Sequence, residues 1–295
     1  MPSRRTFVKN SSLLTAALLF QKDLFYSEEK ADIGLQMYTM RKLISHDNAA
    51  DIIGRIAAIG FRELEIFAYT EENKFWGMKP EAFKALLGLH GLTAPSAHTT
   101  LPLLFSEGKT DELTLACEAA KIIGTKYITV AWLDEKYRKN AGDYKNVATK
   151  LNTAGQLCRQ YGMQLAYHNH DFEFKQLADG TTGYDIILKN TDKELVKMEL
   201  DLYWVTKAGI DPVKLFKENP GRFPMWHVKD MNKTTGSFTE VGSGTIDFKR
   251  IFKKRKSAGA GHLFIEQDEI PGDVWESITK SYDYTRKNLM RFLQS

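Results

Sequence analysis

The chain lacks the features that would place it outside the ordinary globular classes. It has two cysteines in 295 residues, Cys117 and Cys158, both in helix-like stretches without CxxC or Cys/His spacing. A disulfide framework is therefore excluded, and both thiols read as small buried hydrophobes. The eight prolines form no Pro-rich tract, and no low-complexity segment or linker divides the chain, so one domain is the simplest count. Charge of one sign is also missing: 41 Lys and Arg against 37 Asp and Glu leave a formal +4. The cations are scattered except at Lys253-Lys254-Arg255-Lys256, which is too little for a nucleic-acid face. The most apolar run, Leu13–Phe20, is too short to span a bilayer. What remains, 43% hydrophobic and 26% charged, is the composition of a soluble globular chain able to bury a sizeable core.

At the amino end, Ser3-Arg4-Arg5-Thr6-Phe7-Val8-Lys9 precedes that apolar run. The order resembles a twin-arginine secretion signal, with Val8 where leucine is commoner, and the resemblance implies periplasmic export of a folded protein. No cysteine follows the run, so no lipid anchor or stable membrane anchor is expected. Residues 1–30 are set aside as signal and 31–295 are taken as the folded domain.

From Asp32 on, short β-branched or aromatic runs alternate with longer stretches of helical period. The expected strands are Ile33–Tyr38, Glu63–Phe67, Thr93–His98, Tyr127–Ala131, Gln164–Asn169, Val196–Asp201, Phe223–Val228 and Leu263–Gln267. Helical stretches such as Ala49–Ile59, Pro80–Leu89, Glu112–Ile123 and Tyr144–Tyr161 lie between them, with a last helix from about Val274. Eight βα units with right-handed crossovers close most economically into a single (β/α)8 TIM barrel. An open doubly wound sheet is the alternative. It would want a glycine-rich turn after the first strand, where this chain reads Gln36-Met37-Tyr38-Thr39-Met40.

Chemistry in such a barrel gathers at the C-terminal strand ends. Here strands five to eight finish in His168-Asn169-His170, Glu199-Leu200-Asp201, His227-Val228-Lys229-Asp230 and Glu266-Gln267-Asp268-Glu269. Ionisable groups on strands buried on both faces are costly unless paired or metal-bound. Two imidazoles with carboxylates suit Mn²⁺, Co²⁺, Zn²⁺, Fe²⁺ or Mg²⁺. Singly, each has a structural alternative: His227 a core histidine, Asp201 a turn cap, Glu266 a partner of Lys229. Glu199 could support the site from beneath. Tyr38, Phe67, Trp132 and Trp204, at or just after strand ends, could stack on a sugar ring or simply pack the barrel. His98, after strand three, is a candidate substrate contact.

Ala166-Tyr167-His168-Asn169-His170-Asp171-Phe172-Glu173-Phe174, Glu199-Leu200-Asp201-Leu202-Tyr203-Trp204-Val205, Trp226-His227-Val228-Lys229-Asp230-Met231, Glu240-Val241-Gly242-Ser243-Gly244-Thr245-Ile246-Asp247-Phe248 and Phe264-Ile265-Glu266-Gln267-Asp268 resemble the sugar phosphate isomerase/epimerase family, of the xylose isomerase-like TIM-barrel superfamily. The resemblance implies a divalent metal held by Asp201, His227 and Glu266, with His168 where the ketose epimerases carry Glu. It also implies a small carbohydrate substrate, bound near His98, Tyr38, Trp132, Trp204 and Glu199. The implied chemistry is removal of the α-proton of a carbonyl sugar through an enediolate, with Glu266 as base and His170 or Glu173 for the second transfer. Lys229 would neutralise the oxyanion, or else pair with Asp230 or Glu199.

Isomerisation or epimerisation is the first expectation. A lyase acting on a 3-keto-glycoside and a non-catalytic sugar-binding barrel are alternatives, and His168 in place of a second carboxylate moves weight toward the lyase. Phosphodiester cleavage, as in endonuclease IV relatives, would need more ligands than His98 and Glu65 on the early strands. Gly242-Ser243-Gly244 is expected to be an ordinary helix-entry turn and not a phosphate cradle.

Overall fold

The computed structural model describes residues 32–67 and 69–292; the expected signal, 1–30, lies outside the described residues. Eight parallel strands close a barrel: β1 (Ile33–Gln36), β2 (Glu63–Phe67), β3 (Thr93–Thr99), β4 (Tyr127–Val130), β5 (Gln164–His168), β6 (Val196–Asp201), β7 (Met225–Val228) and, after a small hairpin, β10 (His262–Ile265). Their order round the barrel is β1-β10-β7-β6-β5-β4-β3-β2. Helices cover the outside. They include α1 (Ala49–Ile59), α2 (Pro80–Leu89), α3 (Pro102–Glu107), α4 (Asp111–Ile123), α5 (Ala141–Gln160), α6 (Gly183–Asn190), α7 (Leu202–Lys207) and α8 (Pro212–Glu218). After the seventh barrel strand come α9 (Phe248–Phe252), α10 (Arg255–Ala258) and α11 (Val274–Asn288). Among the described residues no helix is long and apolar enough to cross a membrane.

Local chemistry explains the boundaries. In α4, Asp111 and Glu112 stand in the first turn, where they complement the helix dipole, and Leu113, Cys117 and Ala120 bury one face at helical spacing. Gly124 ends it at φ +87°, a conformation that costs a glycine little. The first strand stops at Gln36, short of the expected Tyr38. The Gln36 side chain accepts the Tyr38 N–H at 3.0 Å, turning the chain into a 3₁₀ turn over Met37–Met40. The seventh strand begins at Met225 and the last ends at Ile265, so Glu266 and Gln267 stand just beyond the barrel edge. The hairpin β8 (Asp230–Met231) with β9 (Phe238–Thr239) had no counterpart in the sequence pattern.

Register partners on neighbouring strands share a face, so pairings trace the barrel interior. Ala166, Met225 and Phe264 form a buried apolar cluster there. Gly34 is the position that admits the Phe264 ring: a Cβ on it would lie 2.5 Å from Phe264 Cδ1. Toward the N-terminal ends, the interior closes on a His262–Glu63 hydrogen bond of 2.8 Å. Toward the C-terminal ends, it turns polar.

Candidate metal centre and active site

Strand alternation carries the inward face from Ala166 to His168, from Glu199 to Asp201, from Met225 to His227 and from Phe264 to Glu266. One ligand-type atom from each of His168, Asp201, His227 and Glu266 lies within 4.8 Å of the others, and all four residues are buried. His168 Nε2 is 3.3 Å from Asp201 Oδ2. His227 Nδ1 is 2.7 Å from Glu266 Oε2 and 3.8 Å from Asp201 Oδ2.

These residues suit a divalent ion. Buried His227 Nδ1, 2.7 Å from Glu266 Oε2, makes no hydrogen bond, although buried polar atoms nearly always do. Two imidazole nitrogens and two carboxylates, with no thiolate, are the donor set of Zn²⁺, Mn²⁺, Co²⁺ or Fe²⁺.

Lys229 Nζ joins the group at 2.7 Å from Glu266 Oε2, 2.8 Å from Asp268 Oδ1 and 3.0 Å from Asp201 Oδ2. Its partners are thus neither Asp230 nor Glu199. Burial alone would raise the Asp201 and Glu266 carboxyls, but the Lys229 ammonium, helped by the imidazoles, outweighs it and holds both low. Burial pushes Asp268 up to about 6 despite Lys229. Burial would likewise lower Lys229; Asp201, Asp268 and Glu266 overcome it and keep the ammonium charged.

A second polar group lies beneath. Glu65 Oε2 is 2.5 Å from His227 Nε2 and 3.1 Å from His98 Nε2. Glu199 Oε2 is 2.7 Å from His98 Nε2 and 3.2 Å from His227 Nε2. Against the effect of burial, Glu65 and then Glu199 raise His98 to about 9. Of the two places the sequence allowed Glu199, the structure gives the supporting one, inside the barrel under the imidazoles and not at the substrate, and it pins His98 between two carboxylates.

At the mouth, His170 packs edge-on to Trp132 at 4.8 Å between ring centroids and 5.5 Å from Trp204. Burial, then His168 and Lys229, lower its pKa well below the usual value, so the ring is neutral near pH 7. Trp132 is 45% exposed and Tyr38 43%; the Tyr38 ring meets Phe67 edge-on and carries the Arg41 guanidinium over its face at 4.1 Å.

Glu173 is a correction. It accepts hydrogen bonds from the Tyr167 hydroxyl and the His170 N–H, both at 2.8 Å. Tyr167 precedes the inward-facing His168 and so points outward, into the helix layer. Glu173 is fully buried there, and braces the His170 loop instead of facing the carboxylate group.

Gly242-Ser243-Gly244 is a turn, as expected, and its donors are satisfied internally. Gly242 and Gly244 N–H donate to Asp230 Oδ2 at 2.8 and 2.9 Å, while Ile246 and Met231 N–H donate to Oδ1. A Cβ on Gly244 would fall 2.3 Å from Asp230 Oδ1, so the nest is filled by the chain's own carboxylate.

The roles of three residues escaped the sequence argument, although Glu65 was named there as an early-strand ligand candidate. Asp268 was visible only as part of a strand-end run. Gln36 lies inside the expected first strand, and Glu65 two residues before the end of β2, although a carboxylate inside Glu63-Leu64-Glu65-Ile66-Phe67 is itself a signal of an inward polar layer.

A closed parallel barrel with a buried His/Asp/His/Glu group at its C-terminal mouth defines a class of (β/α)8 proteins fitted for a metal. Within that class, the chain belongs to the xylose isomerase-like TIM-barrel family, whose model matches residues 53–286. An inosose dehydratase of Clostridium perfringens is 30% identical over 156 residues, 47% of this chain and about half, 52%, of that relative. An inosose dehydratase of Geobacillus kaustophilus is 23% identical over 278 residues, 82% of this chain and 85% of its own length. The crystal structure of a sugar phosphate isomerase/epimerase from Parabacteroides distasonis superposes with a TM-score of 0.78 at 27% identity, covering 88% of this chain and 95% of that one.

Proposed function

We propose that the protein is a divalent-metal enzyme that removes the proton α to the carbonyl of a polyhydroxylated ketone and expels a β-oxygen, a lyase of the dehydratase type. The convergence of His168, Asp201, His227 and Glu266 beside Lys229 carries the reading. A divalent ion held by these four would supply Lewis acidity to a substrate carbonyl and its neighbouring hydroxyl. Glu266, kept ionised by its neighbours, accepts the α-proton. Lys229 balances negative charge growing on the substrate oxygen. The departing oxygen leaves as water or alcohol with a proton equal to the one Glu266 takes up, and neutral His170, at the mouth between Trp132 and Trp204, hydrogen-bonds that oxygen as it leaves.

Elimination is favoured over epimerisation because the fifth strand presents His168 and not a carboxylate, so the opposite substrate face lacks a matching second base. The dehydratase names of the curated relatives support the same choice. Isomerisation remains the second reading, favoured by the likeness to the Parabacteroides protein.

Metal content and solvent-deuterium incorporation, measured together on ketoses and keto-glycosides, test both. Consumption with loss of water or aglycone supports the lyase; exchange with a rearranged sugar and no loss supports the isomerase. Glu266→Gln is expected to lower exchange by about 10²- to 10⁴-fold with the fold intact. Tight ligand binding without exchange would leave a binding barrel.

A further inference from the structure

Glu65 lies one inward step below the barrel mouth, in the lower group and not with His168, Asp201 and Glu266, and protein donors solvate it. Its Oε2 accepts from Gln36 Nε2 at 2.6 Å and its Oε1 from the Ser96 hydroxyl at 2.5 Å. Ser96 is in turn 3.0 Å from Thr129 Oγ1. A carboxylate so surrounded by donors is an acceptor only. The imidazole edge set against it, His227 Nε2 at 2.5 Å, must then carry the hydrogen.

An imidazole that donates from Nε2 keeps its other lone pair on Nδ1. Nδ1 is the atom that faces Glu266 at 2.7 Å and Asp201 at 3.8 Å. Glu199, at 3.2 Å from the same Nε2, adds a second acceptor. His98, 2.7 Å from Glu199 and stacked on His227 at 5.2 Å with 18° between planes, blocks rotation of the ring.

From this geometry we infer that Glu65 is a positioning residue: fixed by Gln36 and Ser96, it holds His227 in the tautomer and orientation that offer Nδ1 to the metal. The inference rests on the metal role of His227 in the proposed function. The Glu65, His98, Glu199 and His227 atoms also lie within 4.8 Å of one another. Their closest separations are hydrogen-bond lengths, and Glu65 already has two other donors, so this lower group is a clasp and not a second ion site.

The test uses the whole folded protein titrated with Zn²⁺, for affinity and stoichiometry, and ¹⁵N-histidine NMR of the loaded form. Wild type is expected to take up one equivalent at this centre, with His227 Nδ1 coordinated and Nε2 protonated. Glu65→Gln is expected to weaken Zn²⁺ binding about 10- to 100-fold and to remove the single-tautomer signature, while Glu65→Asp recovers part of both. Ser96→Ala, which strips one donor from Glu65, should shift affinity in the same direction by less. Unchanged affinity and an unchanged His227 signature in folded Glu65→Gln would overturn the inference, as would a second equivalent bound through His227 Nε2. Zinc bound as described without any α-proton exchange would overturn the proposed activity and leave the role of Glu65 standing.

Discussion

Glu173 offers a clean perturbation because a buried acid held above its ordinary pKa makes stability depend on pH in one direction. Burial pushes its pKa from 4.5 to about 7, against the opposing pull of its Tyr167 and His170 hydrogen bonds. A group whose folded pKa exceeds its unfolded one favours the fold most fully below the unfolded value, and that contribution is lost as pH rises through the folded value. The shift corresponds to about 3 kcal/mol, lost progressively between roughly pH 4.5 and 7. Glu173→Gln keeps an acceptor for the His170 N–H and an amide for Tyr167, but cannot ionise. Urea denaturation at half-unit steps from pH 5 to 8, for both proteins, gives the difference directly. The wild type should lose about 3 kcal/mol relative to Glu173→Gln across that range, while contributions from the carboxylate and imidazole groups common to both cancel. Parallel stability curves would refute the assignment of Glu173 as a neutral, bracing acid. If Glu173 instead took part in proton transfer, Glu173→Gln would abolish α-proton exchange at pH 6, where bracing survives.

Other consequences are as direct. Removing metal with a chelator should lower the melting temperature, since an ion at about 1,000 times its Kd contributes about 4 kcal/mol; His227→Ala should abolish that difference. Asp230→Ala leaves four backbone N–H groups without their acceptor and should destabilise by about 3 kcal/mol, with Asp230→Asn costing roughly half, as read by urea midpoint. Trp132→Ala should raise KM several-fold with little change in kcat, because its half-exposed ring flanks His170 without touching the carboxylate group; an equal fall in kcat would contradict that placement. Replacing Arg4 and Arg5 by lysine is expected to retain the protein in the cytoplasm, followed by cell fractionation.

The barrel was legible because its signals are local and repeated: β-branched runs, helical spacing and glycine stops recur with each unit. The upper half of the site was legible for a related reason, since His168, Asp201, His227 and Glu266 each break an apolar strand at its end, where a charge needs an explanation. What lay deeper was not. Gln36, Glu65 and Ser96 are far apart in the chain and meet only through the barrel's register. Glu173 shows the opposite failure: it lies near His170 in sequence, but one step of strand alternation turns its Tyr167 partner to the other side of the wall. The hairpin at Asp230 was hidden because two-residue strands carry no periodicity.

The apolar cluster of Ala166, Met225 and Phe264, admitted by the bare Gly34, makes the barrel a blind well. On the proposed reading, an ion held by His168, Asp201, His227 and Glu266 would lie beneath the mouth where Trp132, His170 and Trp204 pack together and the substrate would enter. That reading predicts ordered loading, ion before substrate, so a chelator that strips the resting protein is expected to act more slowly during turnover.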